Sequence, residues 1–304
     1  MNQNASPQTA TPGWIRRLSN FLSRARDAAV AAVVLIAALA CSPSINVPHV
    51  DTGATETLTV NEPLPAEADI AHVALEMGAG SLELAAGASG LAEGTIRYDV
   101  ARWRPTLTRT DAHLRIEQGT PEPNLVLGED TVNEWNLRLG DTPMELSVHA
   151  GAYSGQMDLT GLPLQRLEIQ DGASDMQVTF SAPNPAEMEE LSYTTGASTV
   201  DLIGLGFANF ARMSFEGGAG SYTLDFGGGL QREAEVTLHA GVSSLRIEVP
   251  SGMPAQVTVG GALREVTTIG AWAQSGDLYE TAGSGPTLTI RVDMGLGSLT
   301  LALE

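Results

Sequence analysis

One short element recurs seven times along this chain of 304 residues, always in the same register. It reads Gly, then Ala, Val or Leu, then any residue, then Ser, Thr or Asp. The glycines are Gly78, Gly151, Gly172, Gly196, Gly218, Gly241 and Gly295, and the fourth positions are Ser81, Ser154, Asp175, Thr199, Ser221, Ser244 and Ser298. A fixed-period repeat of this kind constrains architecture more tightly than chemistry. Each unit is too small to bury its own apolar face and must stack on its neighbours.

Counted from each glycine, apolar residues keep their place. Position −3 holds Leu75, Val148, Ile169, Tyr193, Phe215, Leu238 and Val292, and position −5 holds Val73, Leu146, Leu167, Leu191, Met213, Val236 and Ile290. Position +4 holds Leu82, Met176, Val200, Tyr222, Leu245 and Leu299, with Gly155 the exception, and +6 holds Leu84, Met157, Val178, Leu202, Leu224, Ile247 and Leu301. Position +5 is polar in every copy. Such alternation means strands with one buried and one wet face. The apolar phase slips between +1 and +4, so a turn or bulge is expected there. Glycine would supply a positive φ at that corner, and the Ser, Thr or Asp side chain would bond nearby backbone amides.

The central glycines lie at 151, 172, 196, 218 and 241, in steps of 21, 24, 22 and 23 residues, so one coil takes about 22. That length supplies two short strands and two turns, one wrap of an all-β β-solenoid. Segments such as Ser181–Glu190 and Ile203–Arg212 would form the far side of each coil. The steps of 73 before Gly151 and 54 before Gly295 predict inserted hairpins or irregular end rungs that cap the stack. Leu299, Leu301 and Leu303 run almost to the final residue, so the last strand reads as an open edge inviting self-association with another copy.

The start of the chain reads as an address. Trp14, Ile15, Leu18, Phe21 and Leu22 share one helical face, with Arg16, Arg17, Arg24 and Arg26 around them. The uncharged run Ala28–Ala40 is too short to cross about 30 Å of hydrocarbon, and it ends in Ala38-Leu39-Ala40-Cys41. This resembles the lipobox of bacterial lipoproteins. The resemblance implies that Cys41 carries diacylglycerol and that the rest lies on the extracytoplasmic face of the cell membrane. The alternative is an uncleaved signal-anchor. A four-part organisation follows: a signal segment 1–41, a proline-rich flexible tether 42–66, an N-terminal solenoid part with inserted strands 67–150, and the regular and C-terminal coils 151–304.

Charge excludes some partners. From Cys41 onward 12 Arg oppose 35 acidic residues, a net of −23, and there is no lysine. Nucleic acid is repelled by such a surface. His49, His72, His113, His149 and His239 have no metal-ligand spacing, and no nucleophile elbow or phosphate loop is present, so no catalytic residue, metal or cofactor is expected. Glu187, Glu189 and Glu190 are the best candidates for paired catalytic carboxylates, but they read as a solvated turn. Trp103, Trp135 and Trp272 read as plugs at coil ends rather than a sugar-stacking platform.

Residues 133–139, Asn-Glu-Trp-Asn-Leu-Arg-Leu, together with the corners at Gly78, Gly172, Gly196, Gly218 and Gly295, resemble the toast-rack family over roughly residues 55–304. That family comprises bacterial envelope β-solenoids related to the extracytoplasmic domains of cell-wall-active antibiotic response proteins. The resemblance implies a β-solenoid at the envelope and brings no catalytic residues. The expected role is a non-catalytic scaffold, adhesin-like or envelope-sensing surface that meets an envelope protein or glycan. The alternatives are a regulator of envelope-stress signalling through a membrane partner and a carbohydrate-active enzyme on the same scaffold.

Overall fold

The computed structural model describes residues 52–66, 70–119, 131–262 and 266–304, all within the unit His49–Glu304. The signal segment, Cys41 and residues 42–51 lie outside the described residues; within the rest of the expected flexible tether, Glu56–Glu62 form a paired strand instead. Apart from two short 3₁₀ turns, the secondary structure of the described residues is strand. In chain order the strands are β1 (Glu56–Glu62), β2 (Ala71–Ala86), β3 (Ala92–Tyr98), β4 (Thr106–Thr110), β5 (His113–Glu117), β6 (Asn133–Leu139), β7 (Met144–Asp158) and β8 (Leu164–Thr179). They continue with β9 (Met188–Ile203), β10 (Phe210–Asp225), β11 (Ala234–Val249), β12 (Ala255–Gly261), β13 (Val266–Ile269), β14 (Ala273–Ser275), β15 (Leu278–Thr281) and β16 (Leu288–Leu303).

The seven strands that carry the repeat are β2, β7, β8, β9, β10, β11 and β16. They lie parallel, one beside the next in that order. Each is one continuous strand of 15 or 16 residues with its glycine near the middle, so a coil holds one bent strand rather than two separate ones. The links are accordingly shorter than expected. Met188–Glu190 already belong to β9, and Ile203 and Phe210–Arg212 belong to β9 and β10. Leu159, Leu162, Phe180, Leu205, Ala208 and Phe226, in or beside these links, close the core. Asn184 ties one link to its neighbours: its side chain accepts from Leu164 N (3.2 Å) and donates to Leu164 O (2.8 Å) and Ala208 O (3.1 Å).

The bend arises as the burial pattern requires. Inward positions are −5, −3 and −1 on the first leg and +4 and +6 on the second, as in β8, where Leu167, Ile169, Asp171, Met176 and Val178 are buried. The phase break therefore falls between −1 and +2, one pair earlier than the sequence pattern implied. The glycine and the +1 residue both face outward: Val242 and Leu296, expected to be apolar interior positions, are 61% and 63% exposed.

The glycines stack in register through all seven rungs, but not for the reason expected. None of the seven has positive φ. They are needed because successive backbones approach too closely for a side chain. A Cβ on Gly151 would lie 2.4 Å from the carbonyl oxygen of Gly78. The same contact recurs from Gly172 to Gly151 (2.7 Å), Gly196 to Gly172 (2.4 Å), Gly218 to Gly196 (2.3 Å), Gly241 to Gly218 (2.6 Å) and Gly295 to Gly241 (2.7 Å). The fourth-position residues also align, Ser81 beside Ser154, then Asp175, Thr199, Ser221, Ser244 and Ser298. Within the repeat, a side chain that does accept from a corner amide sits one residue earlier: Ser174 N donates to Ser198 Oγ at 2.9 Å.

The two long steps are end caps. At the N-terminal end β5 pairs with the first leg of β2 and β6 with its second leg, making a rung split at the corner. Gln118 fills the split, its Oε1 accepting from Gly78 N at 2.7 Å and from Asn133 Nδ2 at 2.9 Å. β4 adds to β5, and β3 then β1 add to β6, all antiparallel. At the other end β12 and β13 form a second split rung against the two legs of β16. The chain thus passes from β11 to the terminal rung and returns to lay β16 between them. This corrects the sequence reading of the last strand: Leu299, Leu301 and Leu303 lie in a strand paired on both sides. The expected self-association through that edge loses its basis, because its backbone donors and acceptors are already engaged.

Candidate functional site

Register lines up the outward side chains of the first legs into rows that the linear sequence scatters. Row −6 runs His113, His72, Glu145, Arg166, Glu190, Arg212 and Glu235 across β5, β2, β7, β8, β9, β10 and β11. Past the two histidines the sign alternates at every step. His72 and His113 stack with ring centroids 4.4 Å apart and planes 14° from parallel. His72 Nδ1 meets Glu145 Oε2 at 3.1 Å, and Arg166 Nε lies 4.0 Å from Glu145 Oε1. Arg166 also hydrogen-bonds Glu190, and Arg212 donates to Glu189 Oε1 at 2.9 Å. Opposite charges side by side on one face hold the register of a sheet.

Row −4 is different. It runs Arg115, Ala74, Ser147 and Glu168, so two small side chains lie between two long charged ones. The result is a pocket of about 330 Å³ whose lining includes His72, His113, Glu145, Arg166, Arg115 and Glu168. Thr108 and Thr110 of β4 form its far wall. Arg115 donates to Glu76 Oε2 at 2.6 Å and stands 3.3 Å from Glu117, which hold its guanidinium above the ordinary arginine range. Glu168 lies 3.6 Å from His149 Nε2.

A second polar group lies inside the coil. Asp171, only 6% exposed, takes position −1. Its carboxylate accepts from Tyr193 Oη at 2.8 Å, from Ser198 Oγ at 3.3 Å and from Thr195 Oγ1. Burial, then the nearby Asp171 charge, pushes the Tyr153 hydroxyl above the ordinary tyrosine range. Burial, then Tyr153 and Asp171, pushes Tyr193 higher still, and burial with Asp171 raises Tyr222. A neutral hydroxyl is the favoured form wherever ionisation would place charge in an apolar core beside a carboxylate.

The residues singled out from sequence separate clearly. Glu187, Glu189 and Glu190 face outward and are all paired with arginines: Glu187 with Arg232 at 3.6 Å, Glu189 with Arg212 at 2.9 Å and Arg166 at 4.0 Å, and Glu190 with Arg166. Trp135 is 1% exposed in the core, its indole N–H donating to Asn133 Oδ1 at 3.0 Å. Trp103 is as deeply buried, beside Val100 in a small cluster of its own, and Trp272 is partly buried against the main core. Trp103 and Trp135 present no open stacking face. His239 lies in row −2 with Glu216 and Asp293, away from the His72–His113 pair. Cys41 and His49 lie outside the described residues.

Sequence reasoning missed the His72–His113 stack and the Asp171 cluster. His72 and Glu145 share position −6, so their adjacency could be counted from the glycines. His113 sits on the split rung, which has no corner glycine to count from.

Among curated proteins none matches this sequence. Two solved structures of 18% and 10% identity align with most of the chain. One is described as a "putative cell adhesion protein" from Clostridium sporogenes, with a TM-score of 0.48, 82% of this chain and 99% of that one covered. The other is described as a "putative adhesin" from Bacteroides fragilis, with a TM-score of 0.33 and coverage of 81% and 95%. The sequence model of the family described as "N-terminal domain of toast_rack, DUF2154" matches residues 49–190, which take in the first split rung, the pocket and the first full coils. The likeness to the toast-rack family is carried by that segment.

Proposed function

We propose that this protein is a lipid-anchored, extracytoplasmic β-solenoid that works without catalysis, by presenting the outer face of its first legs to an envelope protein or glycan. The observation that carries this reading is the shape and chemistry of that face. Seven full rungs set their outward side chains in fixed rows, and small residues in one row open a pocket of about 330 Å³. A rigid, register-locked array of polar groups is suited to recognition, because little side-chain freedom remains to be lost on binding. The acidic residues nearest to a catalytic pair are all tied to arginines. That arrangement supports binding over acid–base chemistry, which needs one carboxyl group held protonated.

The anchor rests on Cys41 and its flanking small residues. The test is retention of solubilised envelope material by the immobilised full chain, beside an Arg166→Glu, Arg212→Glu variant. Labelled palmitate is followed in wild type and Cys41→Ala in the same strains. The expected result is palmitate on wild type alone, and a retained component that the charge-reversed face loses. Equal retention by both proteins contradicts the binding face, and palmitate on Cys41→Ala contradicts the anchor.

A further inference from the structure

We infer that the pocket at His72, His113 and Glu145 is a binding site for an uncharged pyranose sugar. This rests on the reading of the outer face as a recognition surface and names what one part of it recognises. Four observations converge on it. The first is size: about 330 Å³ lies at the small end of ligand pockets, which run from roughly 300 to 1,000 Å³. That volume suits one sugar ring better than a peptide or an extended polymer.

The second is charge balance. The chain carries a net charge of −20, yet the pocket lining holds two arginines and two glutamates. Both arginines are already engaged, Arg115 by Glu76 and Glu117, and Arg166 by Glu190 and Glu145. An anion would therefore meet no uncommitted guanidinium, and a cation would meet carboxylates whose charge is already offset. A neutral ligand rich in hydroxyls has no such penalty.

The third is the form of the polar groups. Carboxylates and guanidinia are planar and bidentate, and adjacent hydroxyls on a ring present donors and acceptors at matching separation. Here they are fixed by their ion pairs before any ligand arrives. Glu145 is held between His72 at 3.1 Å and Arg166 at 4.0 Å, and Glu168 faces His149 at 3.6 Å. Their side chains remain between a third and a half exposed, with 37% for Glu145, 41% for His72 and 50% for Glu168. Preorganised and still accessible groups are what weak, specific hydroxyl recognition needs. Thr108, Thr110 and Ser147 add further hydroxyl partners.

The fourth is the floor. Ala74 and Ser147 are the small residues that make room between Arg115 and Glu168, and both belong to the outward row. They carry no core packing, so enlarging Ala74 closes the pocket without disturbing the fold. The stacked His72 and His113 rings line one side as a fixed wall.

The experiment is titration calorimetry on the full chain with methyl pyranosides of glucose, galactose, mannose and N-acetylglucosamine, and with glucuronate and Zn²⁺ as separate titrants. One or more neutral sugars should bind with a Kd on the order of 1 mM. Affinity should fall about tenfold or more in Ala74→Phe and in His113→Ala, while glucuronate binds more weakly than its neutral parent. Thr237→Phe, farther along the same row, should leave affinity unchanged, and all three variants should melt with wild type. No saturable binding of any sugar overturns the assignment, as does binding that Ala74→Phe leaves intact. Zn²⁺ binding lost in His113→Ala, without sugar binding, overturns it in favour of a metal site. Envelope material retained by Ala74→Phe as by wild type, with no sugar bound, removes the pocket assignment alone. Sugar binding with nothing retained from the envelope removes the wider reading instead.

Discussion

Gly196→Ala is expected to destabilise the protein by about 3 kcal/mol, the upper range for forcing an extra methyl where a neighbouring group already fills the space. The added carbon would stand 2.4 Å from the carbonyl oxygen of Gly172, a backbone atom that cannot rotate aside. Relief requires rung β9 to move away from β8 at the corner, and the paired residues on both legs would lengthen their hydrogen bonds together. The strain also passes upward, because Gly196 O is itself the atom against which Gly218 packs. Ala197→Ser is the control. Its side chain is exposed, so its effect should stay within about 0.5 kcal/mol. Denaturation midpoints at unchanged slope measure both. A Gly196→Ala protein as stable as wild type would mean that the close approach of the corners is not what selects glycine.

The second large effect is alkaline. Tyr153 and Tyr193 are buried and held neutral, their folded pKa values raised above the unfolded value of about 10. Below that value both states keep the proton, and the full contribution to stability is present. As pH rises past it the unfolded chain releases protons that the folded chain retains, so stability falls with increasing pH. The slope is about 1.4 kcal/mol per pH unit for each tyrosine. Two such groups would remove roughly 5 kcal/mol by about pH 12, comparable with the whole stability of many domains. The chain has no lysine, so no ammonium titrates in the same interval. Tyrosinate absorbance and circular dichroism should therefore change together, in one cooperative step. Tyr193→Phe should reduce the slope of melting temperature against pH above about 10. Stepwise ionisation without loss of fold would show that these hydroxyls are reachable by solvent.

Much of the fold was legible before any coordinates. The alternation at −5, −3, +4 and +6 is a direct record of burial, and the seven glycines gave the register of the stack. Two things were not legible, each for a physical reason. Glycine is the same letter whether it answers a positive φ or a close backbone contact, and only the approach of Gly172 O to Gly196 separates them. The path of the chain between rungs is also silent. Leu299, Leu301 and Leu303 read identically whether their strand ends the stack or fills the space between β11 and β12. The site was less legible than the fold. Glu145, Arg166, Glu190 and Arg212 all sit six residues before a corner glycine, so their row could be counted. His113 and Thr108 reach the pocket through a hairpin whose register is fixed only by pairing of β4 and β5 against β2. Asp171 looked like any surface acid, because its inward position depends on where the phase break falls.

The most direct test of the stack is a set of spin-label distances along the outward +1 row, in a Cys41→Ser background. Labels at Ala152 paired in turn with labels at Ala219, Val242 and Leu296 lie three, four and five rungs apart. With strands about 4.8 Å apart, the separations should rise in even steps to roughly 14, 19 and 24 Å. The last step should match the one before it, although 54 residues separate Val242 from Leu296 and only 23 separate Ala219 from Val242. Distances that follow residue number instead of rung number, or that scatter without a common step, would contradict the stack.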